Sequence, residues 1–171
     1  MSPARPLQVS VIEDLRRPGT RRHVQRSAVL DGLGISSAAV PADTEVDLDL
    51  VIEVIGDDLV VTGSVTFPWM GACRRCLADV VSSSTVKVRE VFERRPVEGE
   101  TYQLGDGVVD LEAMVRETVL LALPLAPLCT DDCAGPDPDR FPAAVADDGA
   151  ETVVRDPRWA ALDELRFDDE S

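Results

Sequence analysis

The sequence predicts an α+β fold: an antiparallel β-meander, or a partly closed barrel-like sheet, with a central helix near residues 110–122 and a short C-terminal helix. Three observations predict it. Apolar residues alternate with polar ones through much of 46–92, the period of a strand that buries one face. After Asp110 the spacing changes to that of an amphipathic helix. Only 4% of residues are aromatic against 44% hydrophobic overall, so the core must come from Val, Leu, Ala and Ile, a composition that suits strands.

Taken in order, Leu7, Val9 and Val11 alternate with polar neighbours and predict a first strand over Leu7 to Ile12. The stretch from Arg16 to Arg26, broken by Pro18 and Gly19, has no clear apolar face and is expected to be an exposed arm or loop. Between Ala28 and Thr44, two glycines and Pro41 leave room for a short strand or turn only. Val46, Leu48, Leu50, Ile52 and Val54 then share one face opposite Asp47, Asp49 and Glu53. Gly56-Asp57-Asp58 supplies a turn, and Leu59, Val61, Gly63, Val65, Phe67 and Trp69 alternate with polar residues and Val60. A third extended stretch carries Val86, Val88 and Phe92 on one side, Lys87 and Arg89 on the other. Short connections make these strands antiparallel neighbours.

Asp110 can cap a helix with Leu111, Met114, Val115 and Val119 on one face, and Pro124 and Pro127 stop it, so that the chain runs extended toward Cys129. Residues 134–150, rich in Pro, Gly, Asp and Ala, are expected to be a mobile linker. Asp156-Pro157 is a helix-start signature, with Trp159, Leu162 and Leu165 at helical spacing, so a helix over 156–166 should dock on the body through Trp159. The organisation expected is a single domain over 1–171, with 7–133 as the strand-rich body.

The net charge of −15, from 32 acidic and 17 basic residues, repels a phosphate backbone and favours a basic partner. Residues 1–30 run against the trend: Arg5, Arg16, Arg17, Arg21, Arg22 and Arg26 face only Glu13 and Asp14, a net of +4, which leaves −19 for the remainder. The opening residues lack the apolar core of a signal sequence, and Val119 to Leu128 is interrupted by prolines, so a cytoplasmic location with no membrane contact is expected.

In that reducing setting the cysteines should be thiolate ligands or redox groups rather than disulfides. All four fall in two close pairs, Cys73-x-x-Cys76 and Cys129-x-x-x-Cys133, with 52 residues between. Each spacing lets one turn present two sulfurs to a common point, the arrangement of a zinc knuckle, and four thiolates leave no open position for water or substrate. A structural Zn2+ held by Cys73, Cys76, Cys129 and Cys133 is therefore expected. The rival is a thiol-based redox or zinc-responsive regulator using Cys73 and Cys76, whose thiols Arg74 and Arg75 can acidify; redox C-x-x-C motifs usually open a helix, whereas 77–92 has the pattern of a strand. Arg74 and Arg75 either offset the charge of the metal–thiolate centre or face outward toward an RNA phosphate.

No phosphate-cradling glycine loop or nucleophile elbow occurs, and the one histidine, His23, lies in the basic stretch without a nucleophile nearby. Catalytic residues, an enzymatic activity and a small-molecule substrate are not expected.

The order C-R-R-C-L, then VDLEAMVRETVLLALPLAPLC with Cys133 beyond it, resembles the YceD family of large ribosomal RNA subunit accumulation proteins. DPRWAALDEL is similar to that family's terminal helix. The resemblance covers the chain from Val46 onward and is tightest over Val109 to Cys133. It implies a non-enzymatic role in ribosome biogenesis and rRNA accumulation, and by position it carries the metal-type residues onto Cys73, Cys76, Cys129 and Cys133. Many relatives continue after the second pair with G-L-C-x-x-C-G, where AGPDPDR stands here, so further cysteines are missing while one set of four is complete. The implied partner is a ribosomal protein held by the acidic body, or 23S-type ribosomal RNA or a pre-ribosomal particle gripped by Arg16, Arg17, Arg21, Arg22, Arg26, Arg74 and Arg75.

Overall fold

The computed structural model describes residues 6–140. Its centre is an antiparallel meander of β4 (Glu45–Ile55), β5 (Asp58–Ala72) and β6 (Asp79–Glu93). The alternation in the sequence is the cause: Val46, Leu48, Leu50, Ile52 and Val54 turn inward from β4, and Leu59, Val61, Val65, Phe67 and Trp69 from β5. Gly63 sits within β5 at φ +148°, facing Leu50 across the ladder, where a Cβ would overlap the Asp49 carbonyl oxygen and lie 2.8 Å from Leu50 Cα. Only glycine lets the two backbones approach this closely.

The helix α2 (Glu112–Ala122) lays Met114, Val115 and Val119 on β5 and β6. Asp110 Oδ1 accepts the backbone N–H of Glu112 at 3.0 Å, which satisfies one of the free donors of the first turn. Phe67 and Phe92 are fully buried, each contributing about 1.5–3 kcal/mol of burial energy.

Two sequence expectations are corrected. The sheet does not close into a barrel. Its order is β2-β4-β5-β6-β7, with β2 (Arg21–Val29) at one edge, the two-residue β7 (Tyr102–Gln103), parallel to β6, at the other, and the short β3 (Ala38–Ala39) joined to β5. The buried face is covered instead by α2 and by a separate two-stranded ribbon of β1 (Gln8–Ser10) and β8 (Val108–Asp110), which brings Leu7, Val9 and Val11 into the core. Neither edge needs a partner to complete that cover.

The stretch from Arg16 to Arg26 is a turn only as far as Thr20, and its second half is not an arm or loop. After the short helix α1 (Ile12–Leu15), residues 21–29 form β2 and pair residue by residue with β4, from Arg21 opposite Glu53 to Val29 opposite Glu45. Val24 and Ala28 are its buried anchors.

The expected connection 134–150 lies only partly within the described residues, and the expected helix 156–166 with Trp159 lies outside them. Among the described residues no helix is long and apolar enough to cross a membrane.

Candidate metal centre and surrounding charge

The hairpin that joins β5 to β6 forms the first knuckle. The Cys73 N–H bonds the Ala78 carbonyl at 2.8 Å, and the Leu77 N–H returns to the Cys73 carbonyl at 2.9 Å. Leu77 closes the turn at φ +63°, a left-handed conformation that L-residues adopt only under surrounding constraint. The second knuckle follows α2. Leu123 leaves the helix extended, Pro127 is buried, and the Pro127 carbonyl accepts the Arg74 N–H at 2.9 Å. Gly71 permits the approach, since a Cβ there would overlap the Ser37 carbonyl and come within 3.2 Å of the Pro127 ring.

These contacts bring Cys73, Cys76, Cys129 and Cys133 to one point, with all four sulfurs within 4.8 Å of one another. Cys73 Sγ is 3.8 Å from Cys133 Sγ, and Cys76 Sγ is 3.6 Å from Cys129 Sγ. Both are far beyond the ~2.05 Å of a disulfide. A tetrahedral ion with metal–sulfur bonds of ~2.3 Å sets sulfurs about 3.8 Å apart, so the four thiols fit the donor set of one metal ion. Cys73 and Cys133 are buried while Cys129 is exposed, so the cluster lies at the surface with its inner half sealed.

The thiols are electrostatically unlike. Cys73 is pulled well below the ordinary thiol range, first by the Cys76 backbone N–H directed at its sulfur and then by that of Cys129, with burial working against them. Cys129 is pushed up by its hydrogen bonds to the Cys133 and Cys76 sulfurs and by burial. The two shifts therefore run in opposite directions within one cluster.

The two arginines of the first knuckle part company. Arg75 turns onto the second knuckle and donates to the carbonyls of Cys133 at 2.7 Å and Asp131 at 3.3 Å, so its positive charge lies beside the sulfur cluster. Arg74 is exposed.

The other candidate arginines differ in their partners. Arg22 reaches Asp14 at 3.1 Å and the Ser10 carbonyl at 2.7 Å, an ion pair that locks β2 to α1 and β1. Arg16 is paired with Glu13 and Arg21 with Glu53. Arg26 donates to the Gln25 carbonyl, and Arg17 is exposed. His23 is exposed and bonded to Asp49.

One feature escaped sequence reasoning because its parts come from three distant segments. A cavity of about 250 Å³ between β6, the loop before β7 and α2 gathers Glu90, Glu100, Glu117 and Tyr102. Burial and then the Glu117 charge raise the Glu90 carboxyl. Tyr102 donates to Glu117 at 2.6 Å, and its hydroxyl is raised far above the usual phenol range by burial and that bond.

An open, largely antiparallel sheet, backed by one helix and tied at its hairpin tip by two cysteine knuckles, defines a small α+β protein of the cysteine-knuckle class. The family follows from comparison. The profile of the large ribosomal RNA subunit accumulation protein YceD matches residues 61–166, more than half of the chain, and the chain belongs to that family. An uncharacterized protein of Mycobacterium tuberculosis and another of Mycobacterium bovis are each 31% identical over 170 residues, covering 95% of this chain and 82% of the relative. An uncharacterized protein of Mycobacterium leprae is 30% identical over 158 residues, covering 88% and 73%. No solved structure matches this chain.

Proposed function

We propose that the protein is a non-enzymatic accessory factor in large-subunit ribosomal RNA accumulation, that it acts by holding a basic ribosomal protein, and that Cys73, Cys76, Cys129 and Cys133 bind a structural Zn2+. Membership of the YceD family carries the process. The observation that supports a protein partner over RNA is the state of the candidate arginines: Arg16, Arg21 and Arg22 are engaged by carboxylates and Arg75 by the second knuckle, so a phosphate would have to compete for four of the seven. The net charge of −15 favours a positively charged partner.

Zinc is supported by an all-sulfur donor set at tetrahedral spacing. The redox alternative draws on the acidified Cys73, but the sulfurs of both knuckles converge, Cys73 with Cys133 at 3.8 Å and Cys76 with Cys129 at 3.6 Å, which a role for Cys73-x-x-Cys76 alone does not require. The motif also continues into a strand rather than a helix.

The test is capture from native extract with the tagged full chain in reducing buffer, with and without ribonuclease. A basic large-subunit ribosomal protein retained after ribonuclease treatment, and released by moderate salt, is the expected result. Capture that depends wholly on RNA would overturn the protein partner. Recovery of neither a ribosomal protein nor a pre-ribosomal particle would overturn the assignment itself.

A further inference from the structure

We propose that the groove beside the first cysteine knuckle is the seat of this chain's own C-terminal segment, residues 156–166, docked through Trp159, Leu162 and Leu165. The groove measures about 460 Å³ and runs between the β3 region, the end of β5 and the segment after α2. Its lining includes Ile35, Ala39, Met70, Leu77 and Leu125. Leu125 is 85% exposed, Leu77 74% and Met70 45%. Single exposed apolar residues are ordinary on a protein surface, whereas several around one concave surface mark a docking site.

Charge selects the occupant. The groove lining contains Arg74 and no acidic residue, in a chain of net charge −15. A basic partner would meet Arg74 as a like charge. Residues 156–166 suit it better: Asp156, Asp163 and Glu164 stand against Arg158 and Arg166, a net of −1, Asp168, Asp169 and Glu170 follow directly, and Trp159, Leu162 and Leu165 recur at the spacing of groove-binding helices.

The tether makes even a weak contact effective. Cys73, which lines the groove, has its sulfur 3.8 Å from that of Cys133, and only 22 residues separate Cys133 from Asp156. Random-coil statistics for 22 residues give roughly 25 Å between the ends, and a tether of that reach gives effective concentrations on the order of millimolar. The family profile also runs on to residue 166, so this segment belongs to the same unit as the groove. The inference goes beyond the proposed function and is independent of which ribosomal component is bound.

Hydrogen exchange on the full chain tests it, comparing the wild type with Leu125→Asp, Trp159→Ala and, as a control outside the groove, Leu121→Gln. Leu125 and Leu121 are both largely exposed, so these variants should fold. The expected result is roughly tenfold slower exchange over 158–166 in the wild type and in Leu121→Gln than in the other two variants. Exchange of 158–166 at the free-chain rate in the wild type overturns the proposal, as does protection that Leu125→Asp leaves intact. Protection that disappears on dilution assigns the groove to a second copy, and a groove still protected in Trp159→Ala assigns it to another occupant; either result overturns the intramolecular contact.

Discussion

Chelation of the full-length protein under reducing conditions should loosen one end of the molecule and leave the rest folded. Apart from a shared metal, the second knuckle is tied to the first by the Arg74 N–H to the Pro127 carbonyl and by the Arg75 guanidinium to Asp131 and Cys133. Hydrogen bonds of this kind contribute about 1 kcal/mol each, so these ties alone hold the segment weakly. A metal present at a thousand times its dissociation constant adds about 4 kcal/mol. The main core around Phe67, Phe92, Met114 and Val119 lies in a separate cluster from the sulfurs and should survive the loss. At 2–4 °C per kcal/mol for a chain of this length, Tm should fall by about 8–16 °C. Exchange of the Arg74 and Cys133 amides should accelerate by up to about a thousandfold, while amides of the β4–β5 ladder slow little less than before. Elemental analysis should find one zinc per chain, and Cys129→Ser, a change at an exposed position, should reproduce the effect of chelation. Reduced protein without metal, or a melting curve and Arg74 exchange indifferent to chelator, would refute the metal centre.

Two further outcomes follow from the body of the protein. Gly63→Ala should cost about 3 kcal/mol or more, from backbone strain and lost ladder hydrogen bonds, because its Cβ would meet β4 backbone on a chain held at φ +148°; a urea midpoint equivalent to less than about 1 kcal/mol would show that the strands can part more easily than this. Glu90→Gln should stabilise the protein at neutral pH and have little effect once the pH lies well below the ordinary carboxyl range. Glu90 has a folded-state pKa above its unfolded value, so its contribution is fully present below the unfolded pKa and is lost as pH rises through the folded one. Urea titrations of both proteins across that range check the sign, and a neutral-pH destabilisation by Gln would contradict it.

The parts of the fold that the sequence shows plainly are those where side-chain period and burial agree. In β4 and β5 nearly every second residue is apolar and buried, and in α2 one stripe of Met114, Val115 and Val119 faces the sheet. Strand β2 hides because its register places Arg22 and Arg26 opposite the inward-facing Ile52 and Leu48, on the same face as Val24 and Ala28. Arg22 is tolerated there because Asp14 compensates it, and Arg26 because β2 is an edge where a long side chain can reach water. The ribbon of β1 and β8 is hidden for another reason: each strand is three residues long and their partners lie a hundred positions apart, so no local pattern announces the pairing. At the cysteines, spacing reveals two knuckles, while the bonds of Arg75 to the Asp131 and Cys133 carbonyls depend on the path of residues 127–133, which spacing does not encode.

The electrostatics of the sulfur cluster favour the proposed cation over thiol exchange. Four thiolates brought to within 4.8 Å of one another would repel strongly, and the environment favours charge on Cys73 while disfavouring it on Cys129. Arg75 adds one positive charge beside the cluster, too little to balance four negative ones. A divalent ion removes the conflict for all four at once, since each metal–thiolate bond replaces a proton. A disulfide between Cys73 and Cys76 would instead withdraw the first knuckle's sulfurs from those of Cys133 and Cys129, undoing the convergence that Gly71, Pro127 and Arg75 are placed to create. The local backbone is thus built for a point of four-sulfur contact, and oxidation would be expected to open the same end of the molecule that chelation opens.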